Sequence, residues 1–85
     1  MEIIKTDDFL KIFRNLPKEI RGIYLIQEER FKENWRDPRL HIKPIKKLPN
    51  ALAFRITRRY RAFFYFRDES TAIFFDVDHR KDIYR

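Results

Sequence analysis

An α+β domain in the order β-α-α-β-β-β-β is what the sequence predicts, with two N-terminal helices packed on one face of a mostly antiparallel sheet of four or five strands. Three observations lead there. Apolar residues recur at helical spacing through residues 9–35, alternation with period two takes over from residue 52, and a lead-in rich in lysine and proline separates the two regimes.

Met1 to Lys5 reads as a short strand, and Thr6-Asp7-Asp8 then supplies an N-cap followed by acids in a first helical turn. Phe9, Ile12, Phe13 and Leu16 form the apolar stripe of that helix. Pro17 stops it and suits the opening of a second helix, predicted to run to about Arg36 with Ile20, Ile23, Tyr24, Gln27, Phe31 and Trp35 as its stripe. Gly22 is expected to let the helices approach closely, and Glu28, Glu29, Arg30, Lys32 and Glu33 read as a solvated face. Asp37-Pro38 ends the helical region. Leu40-His41-Ile42-Lys43 alternates as a strand would, but Pro44 confines it to an edge, and Pro49-Asn50 reads as a turn.

The sheet is organised around Leu52 to Arg67, LAFRITRRYRAFFYFR, which holds five arginines and no acid. Read as a hairpin, it puts Leu52, Phe54 and Ile56 on one face of the first strand and Ala62, Phe64 and Phe66 on one face of the second. Ala53, Arg55, Arg61, Phe63 and Tyr65 fall on the opposite faces. A turn of Arg58-Arg59 alone would set Arg55 and Arg61 on different faces, and Arg-Arg lacks the Asn or Gly that two-residue turns favour. A three-residue loop Arg58-Arg59-Tyr60, or a bulged equivalent, places both arginines on one face. After the turn Asp68-Glu69-Ser70 comes the strand Thr71 to Val77, with Ile73, Phe75 and Val77 expected in the core and Phe74 and Asp76 opposite. Helices can cover only one sheet face, so the uncovered face is expected to carry Arg55, Arg61, Phe63, Tyr65 and Phe74.

Eighty-five residues make one domain, residues 1–85, whose core must be economical; nine Phe, four Tyr and a Trp supply it in few residues. The absence of Cys excludes disulfides and thiolate chemistry, and Asp76, Asp78 and His79 lack the further ligands a metal site needs, so no metal or cofactor is expected. No run approaches the ~20 apolar residues of a membrane span and no signal peptide opens the chain, so the expected location is the cytoplasm. Net charge is +7, distributed unevenly: residues 1–38 carry eight basic and eight acidic side chains, residues 39–85 twelve and five. A one-sided basic excess with interleaved aromatics suits a phosphate-bearing strand with unstacked bases, since guanidinium grips phosphate and rings offer stacking platforms.

The helical pair, the basic lead-in LHIKPIKKLPN, the pattern FRITRRYRAFFYF with Tyr60-Arg61 opening the second hairpin strand, and the closing VDHRKDIYR together resemble the RelE/ParE superfamily of toxins over essentially the whole chain. The resemblance implies a toxin of a toxin-antitoxin system that cleaves mRNA on translating ribosomes and is held inactive by a cognate antitoxin, with operator DNA reached only through the antitoxin complex. By the same resemblance Arg55 takes the place of a substrate-facing basic residue, Arg61 matches the arginine near the scissile phosphate, His79 and Arg80 match the basic pair at the strand end, and Tyr84 the C-terminal aromatic. Lys43, Lys46, Lys47, Arg58, Arg59, Phe63 and Tyr65 complete the expected RNA-binding set. Thr57 departs from the pattern, standing where RelE has a second lysine.

Elementary chemistry agrees with these roles. A metal-independent ribonuclease activates a 2′-OH against the adjacent phosphate, which requires a base, a leaving-group acid and cations around the phosphorane. His79 is the natural proton carrier, Arg61 and Arg80 are phosphate stabilisers, and Tyr84 acts as a base or stacks on one. Two other readings stand beside this one: a ParE-like inhibitor of DNA gyrase, which needs no proton carrier, and a non-catalytic RNA- or partner-binding relative.

Overall fold

The computed structural model describes residues 1–79. Chain order is strand β1 (Glu2–Lys5), helix α1 (Asp7–Arg14), helix α2 (Lys18–Glu33), a 3-10 turn (Pro38–Leu40), then strands β2 (Lys43–Pro44), β3 (Leu52–Arg55), β4 (Tyr60–Phe66) and β5 (Thr71–His79). The expected order is therefore observed. The strands form one sheet in the order β1-β5-β4-β3-β2, with β1 parallel to β5 and the other neighbours antiparallel.

Each helix starts where local chemistry says it should. The Thr6 hydroxyl accepts from the Phe9 amide at 3.1 Å, Asp7 and Asp8 occupy the positive end of α1, and Lys11 and Arg14 its negative end. Pro17, at φ −53°, leads into α2. That helix stops at Glu33, short of the expected Arg36, because Asn34 is extended and its side chain turns back to accept from the Arg36 amide. The Leu40–Lys43 strand shrinks to the two-residue β2, since His41 sits at φ 49° and closes the 3-10 turn.

Helices and sheet meet through rings. Phe9, Tyr24 and Phe31 from the helices and Phe54, Phe64 and Phe74 from the three central strands are all fully buried. Phe64 and Phe74 stack at 5.0 Å, and Phe31 stands edge-on to both, at 5.0 and 5.3 Å. Such aromatic packing is how a short chain builds a core from few residues.

The burial of Phe74 reverses an expectation. Phe64 pairs with Phe74 but Phe63 pairs with Asp76, so Phe75 is an extra residue in β5, a β-bulge. The bulge resets the alternation: Ala72 and Phe74 face the helices before it, Val77 after it. Phe75, expected in the core, instead lies against Phe63 and Tyr65 on the opposite face, and Ile73 joins it there beside Tyr65.

Two expectations for α2 are also corrected. A Cβ built on Gly22 would meet nothing within 4 Å, so this glycine serves no close helix contact. Gly22→Ala is accordingly expected to raise stability by about 0.5–1 kcal/mol in chemical denaturation, through helix propensity alone. Glu28, read as solvated, is buried, and it binds Lys5 Nζ at 2.8 Å while accepting from the Tyr24 hydroxyl at 2.8 Å, with Lys32 at 3.6 Å. Burial alone would push the Glu28 carboxyl up, but the hydrogen bonds and charges of Lys5, Tyr24 and Lys32 outweigh it and hold the pKa below the usual carboxylate range. Burial, then the charge of Glu28, drives the Tyr24 hydroxyl far above its ordinary value, so it stays a donor.

A carboxyl with a lowered folded-state pKa contributes stability that is complete above its unfolded value and is lost as pH falls through the folded one. Glu28→Gln should therefore cost about 1–2 kcal/mol at neutral pH, with the difference from the parent shrinking as pH falls below ~4. Urea denaturation of both proteins across that range checks it.

Candidate functional site

Arg55 and Arg61 are Cα partners across β3 and β4, so they share the sheet face that the helices leave uncovered. The hairpin turn produces this register. The Tyr60 carbonyl accepts from the amides of both Ile56 (2.9 Å) and Thr57 (3.2 Å), a bulged closure around Arg58-Arg59, and the Thr57 hydroxyl accepts from the Arg59 amide at 3.2 Å. None of these turn residues has positive φ, which fits a turn without Asn or Gly. From the other side of the sheet, buried Gln27 donates through Nε2 to the carbonyls of Arg55 (2.7 Å) and Arg39 (3.0 Å), pinning the end of β3 to α2.

The open face is built in cross-strand rows. One row is Arg55, Arg61 and Asp78; the next is Ala53, Phe63 and Asp76. Arg61 Nη2 bonds Asp78 Oδ2 at 2.8 Å, and the guanidinium lies over the Phe63 ring at 5.1 Å. Arg55 is exposed. Lys43 pairs with Ala53, so it stands at the sheet-edge end of the neighbouring row, beside the basic one. Further along, Tyr65, 41% exposed, and Phe75 line a shallow pocket with Leu48, Pro49, Asn50 and Ala51. Asn50, at φ 67°, allows the loop before β3 to turn back beside these rings.

A basic row thus lies over an aromatic floor on the open side of the sheet, and the chain as a whole resembles solved structures. Over 95% of this chain and 94% of the other, it is similar to the toxin of a RelB-RelE antitoxin-toxin complex from Methanococcus jannaschii, with 29% identity and a TM-score of 0.74. The chain has the fold of the RelE/ParE superfamily of toxins. The toxin-antitoxin complex RelBE2 from Mycobacterium tuberculosis gives 26% identity and a TM-score of 0.67, over 93% of this chain and 96% of the other. A YoeB/ParE toxin from Agrobacterium tumefaciens shares the fold at 11% identity, with a TM-score of 0.76 over 93% and 98%. By sequence alone no family model matches this chain, and no curated protein does.

Of the residues expected to serve the toxin, Arg55, Arg61, Phe63 and Tyr65 come together on the open face, although Phe63 is only 8% exposed beneath Arg61. Arg58 and Arg59 are exposed at the hairpin tip, and Lys46 and Lys47 in the loop after β2. His79 ends β5, exposed, paired with Tyr60 and stacked on its ring at 4.2 Å and 2°. Strand alternation puts His79 on the side of Val77, opposite to Arg61, so the two approach each other only around the end of the ladder. Arg80 and Tyr84 lie outside the described residues. Sequence reasoning missed Phe75, whose bulge breaks the alternation. Among the described residues no helix is long and apolar enough to cross a membrane.

Proposed function

We propose that this toxin is a metal-independent endoribonuclease that cleaves mRNA on translating ribosomes. The observation that carries the reading is the row of Arg55 and Arg61 over an aromatic floor on the open sheet face. Two guanidinium groups side by side suit a phosphodiester whose charge grows in the phosphorane, and Tyr65 and Phe75 suit the stacking of splayed bases. Lys43, Lys46, Lys47, Arg58 and Arg59 extend the positive surface for the flanking backbone. His79 carries the proton at the strand end, with Arg80 and Tyr84 as its expected helpers. A cognate antitoxin holds the toxin inactive in the cytoplasm; the support is that the similar chains from M. jannaschii and M. tuberculosis were solved in toxin-antitoxin complexes.

Adding the purified chain to a translating extract and mapping new mRNA 5′ ends tests the reading. Cuts that require ribosomes support it, and growth arrest without cuts contradicts it. The position of His79, on the opposite side of the sheet from Arg61, favours one second reading, a ParE-like gyrase inhibitor that needs no proton carrier. In that case the chain blocks gyrase supercoiling and leaves mRNA intact.

A further inference from the structure

Arg61 is held in a position that satisfies it incompletely. Only Nη2 reaches Asp78, through a single carboxylate oxygen at 2.8 Å, while Nε is buried with no hydrogen-bond partner among the described residues. The guanidinium rests on Phe63, and the side chains of Arg61 and Asp78 remain 30% and 40% exposed. A partly exposed, single-contact ion pair contributes little, and a buried unpaired donor costs more than an unmade surface bond. Both features describe a resting position. Swinging off Phe63 would release the pair and bring Nε to solvent, where a phosphate can take the two-bond grip that Asp78 does not.

The row itself explains why a carboxylate sits here. Arg55 and Arg61 are directly opposite one another, a repulsive arrangement across strands, and Asp78 is the next residue in the same row. Asp78 thus neutralises one of the two charges when the face is empty. It opposes a phosphate when the face is filled.

We infer that Asp78 is an internal counter-ion occupying the Arg61 phosphate subsite, which RNA must displace, so that it sets the affinity of the open face while stabilising the empty protein. The inference rests on the reading of Arg61 as a phosphate ligand. Asp78 acts through Arg61 and is a positioning residue.

The test is binding of a fluorescent single-stranded RNA, 2′-O-methylated so that it cannot be cleaved, at salt from about 50 to 200 mM. Asp78→Asn should bind about three- to tenfold more tightly and steepen the slope of log K against log salt by up to ~0.7, one added phosphate contact on a single strand. Asp78→Ser should show the same sign, and circular dichroism confirms that each variant is folded. In the Arg61→Ala background Asp78→Asn should bring no gain, and Glu69→Gln, the same charge change in the exposed turn at the far end of β4 and β5, should change affinity much less. Unchanged or weaker binding by Asp78→Asn, or an equal gain without Arg61 or from Glu69→Gln, overturns the inference while leaving Arg61 as a ligand. Arg61→Ala binding as tightly as the parent overturns the phosphate reading of Arg61 and the inference with it.

Discussion

His79→Ala should slow mRNA cleavage by about 10²–10⁴-fold in a translating extract, the scale expected for removing a positioned acid or base. His79 is exposed at the end of β5 with its ring flat against Tyr60 at 4.2 Å. A face stack fixes the plane of the imidazole and leaves its edge nitrogens available for proton transfer. Losing one aromatic stack costs about 0.5–1.5 kcal/mol, so the variant remains folded and the rate reports chemistry. A purely structural stack would instead lower the urea midpoint and leave the cleavage rate of the folded variant unchanged. Cleavage within a few-fold of the parent removes His79 as the proton carrier.

Phe74→Ala should destabilise the protein by about 3–5 kcal/mol, a large share of the ~5–15 kcal/mol available to a single domain. Phe74 is fully buried, and its ring touches those of Phe9, Phe31, Phe54 and Phe64 at 5.8, 5.3, 5.5 and 5.0 Å. Phe75→Ala, one residue on, should cost less than about 1.5 kcal/mol, because that half-buried ring is on the open face. Simple alternation from Val77 predicts the reverse ranking, so urea midpoints for the pair test the bulge directly.

That pair also shows where the sequence could be read and where it could not. The helix starts were legible because capping is local: Thr6 and Pro17 act on residues within one turn. The shared face of Arg55 and Arg61 was legible because an Arg-Arg turn disfavours the tight two-residue closure and period two does the rest. The bulge at Phe75 has no local signal, since no glycine or proline marks it, and one extra residue inverted the faces of Ile73, Phe74 and Phe75 together. Glu28 looked solvated among its charged neighbours because its main partner, Lys5, lies on β1, which meets α2 only after folding. The same limit applies to the site. The arginines announced themselves by type and spacing, but the contact of Asp78 with Arg61 and the stacking of His79 on Tyr60 depend on the β4–β5 register, which the bulge sets.

The open sheet face is the expected RNA surface of this chain. Titrating the ¹⁵N-labelled chain with a short, non-cleavable single-stranded RNA and following backbone amide shifts tests it most directly. Shifts concentrated at Arg55, Arg61, Phe63, Tyr65 and Phe75, with Leu10, Ile23 and Ile26 on the exposed helix surface unmoved, are the predicted result. Shifts concentrated on the helices, with the arginine row silent, would contradict it.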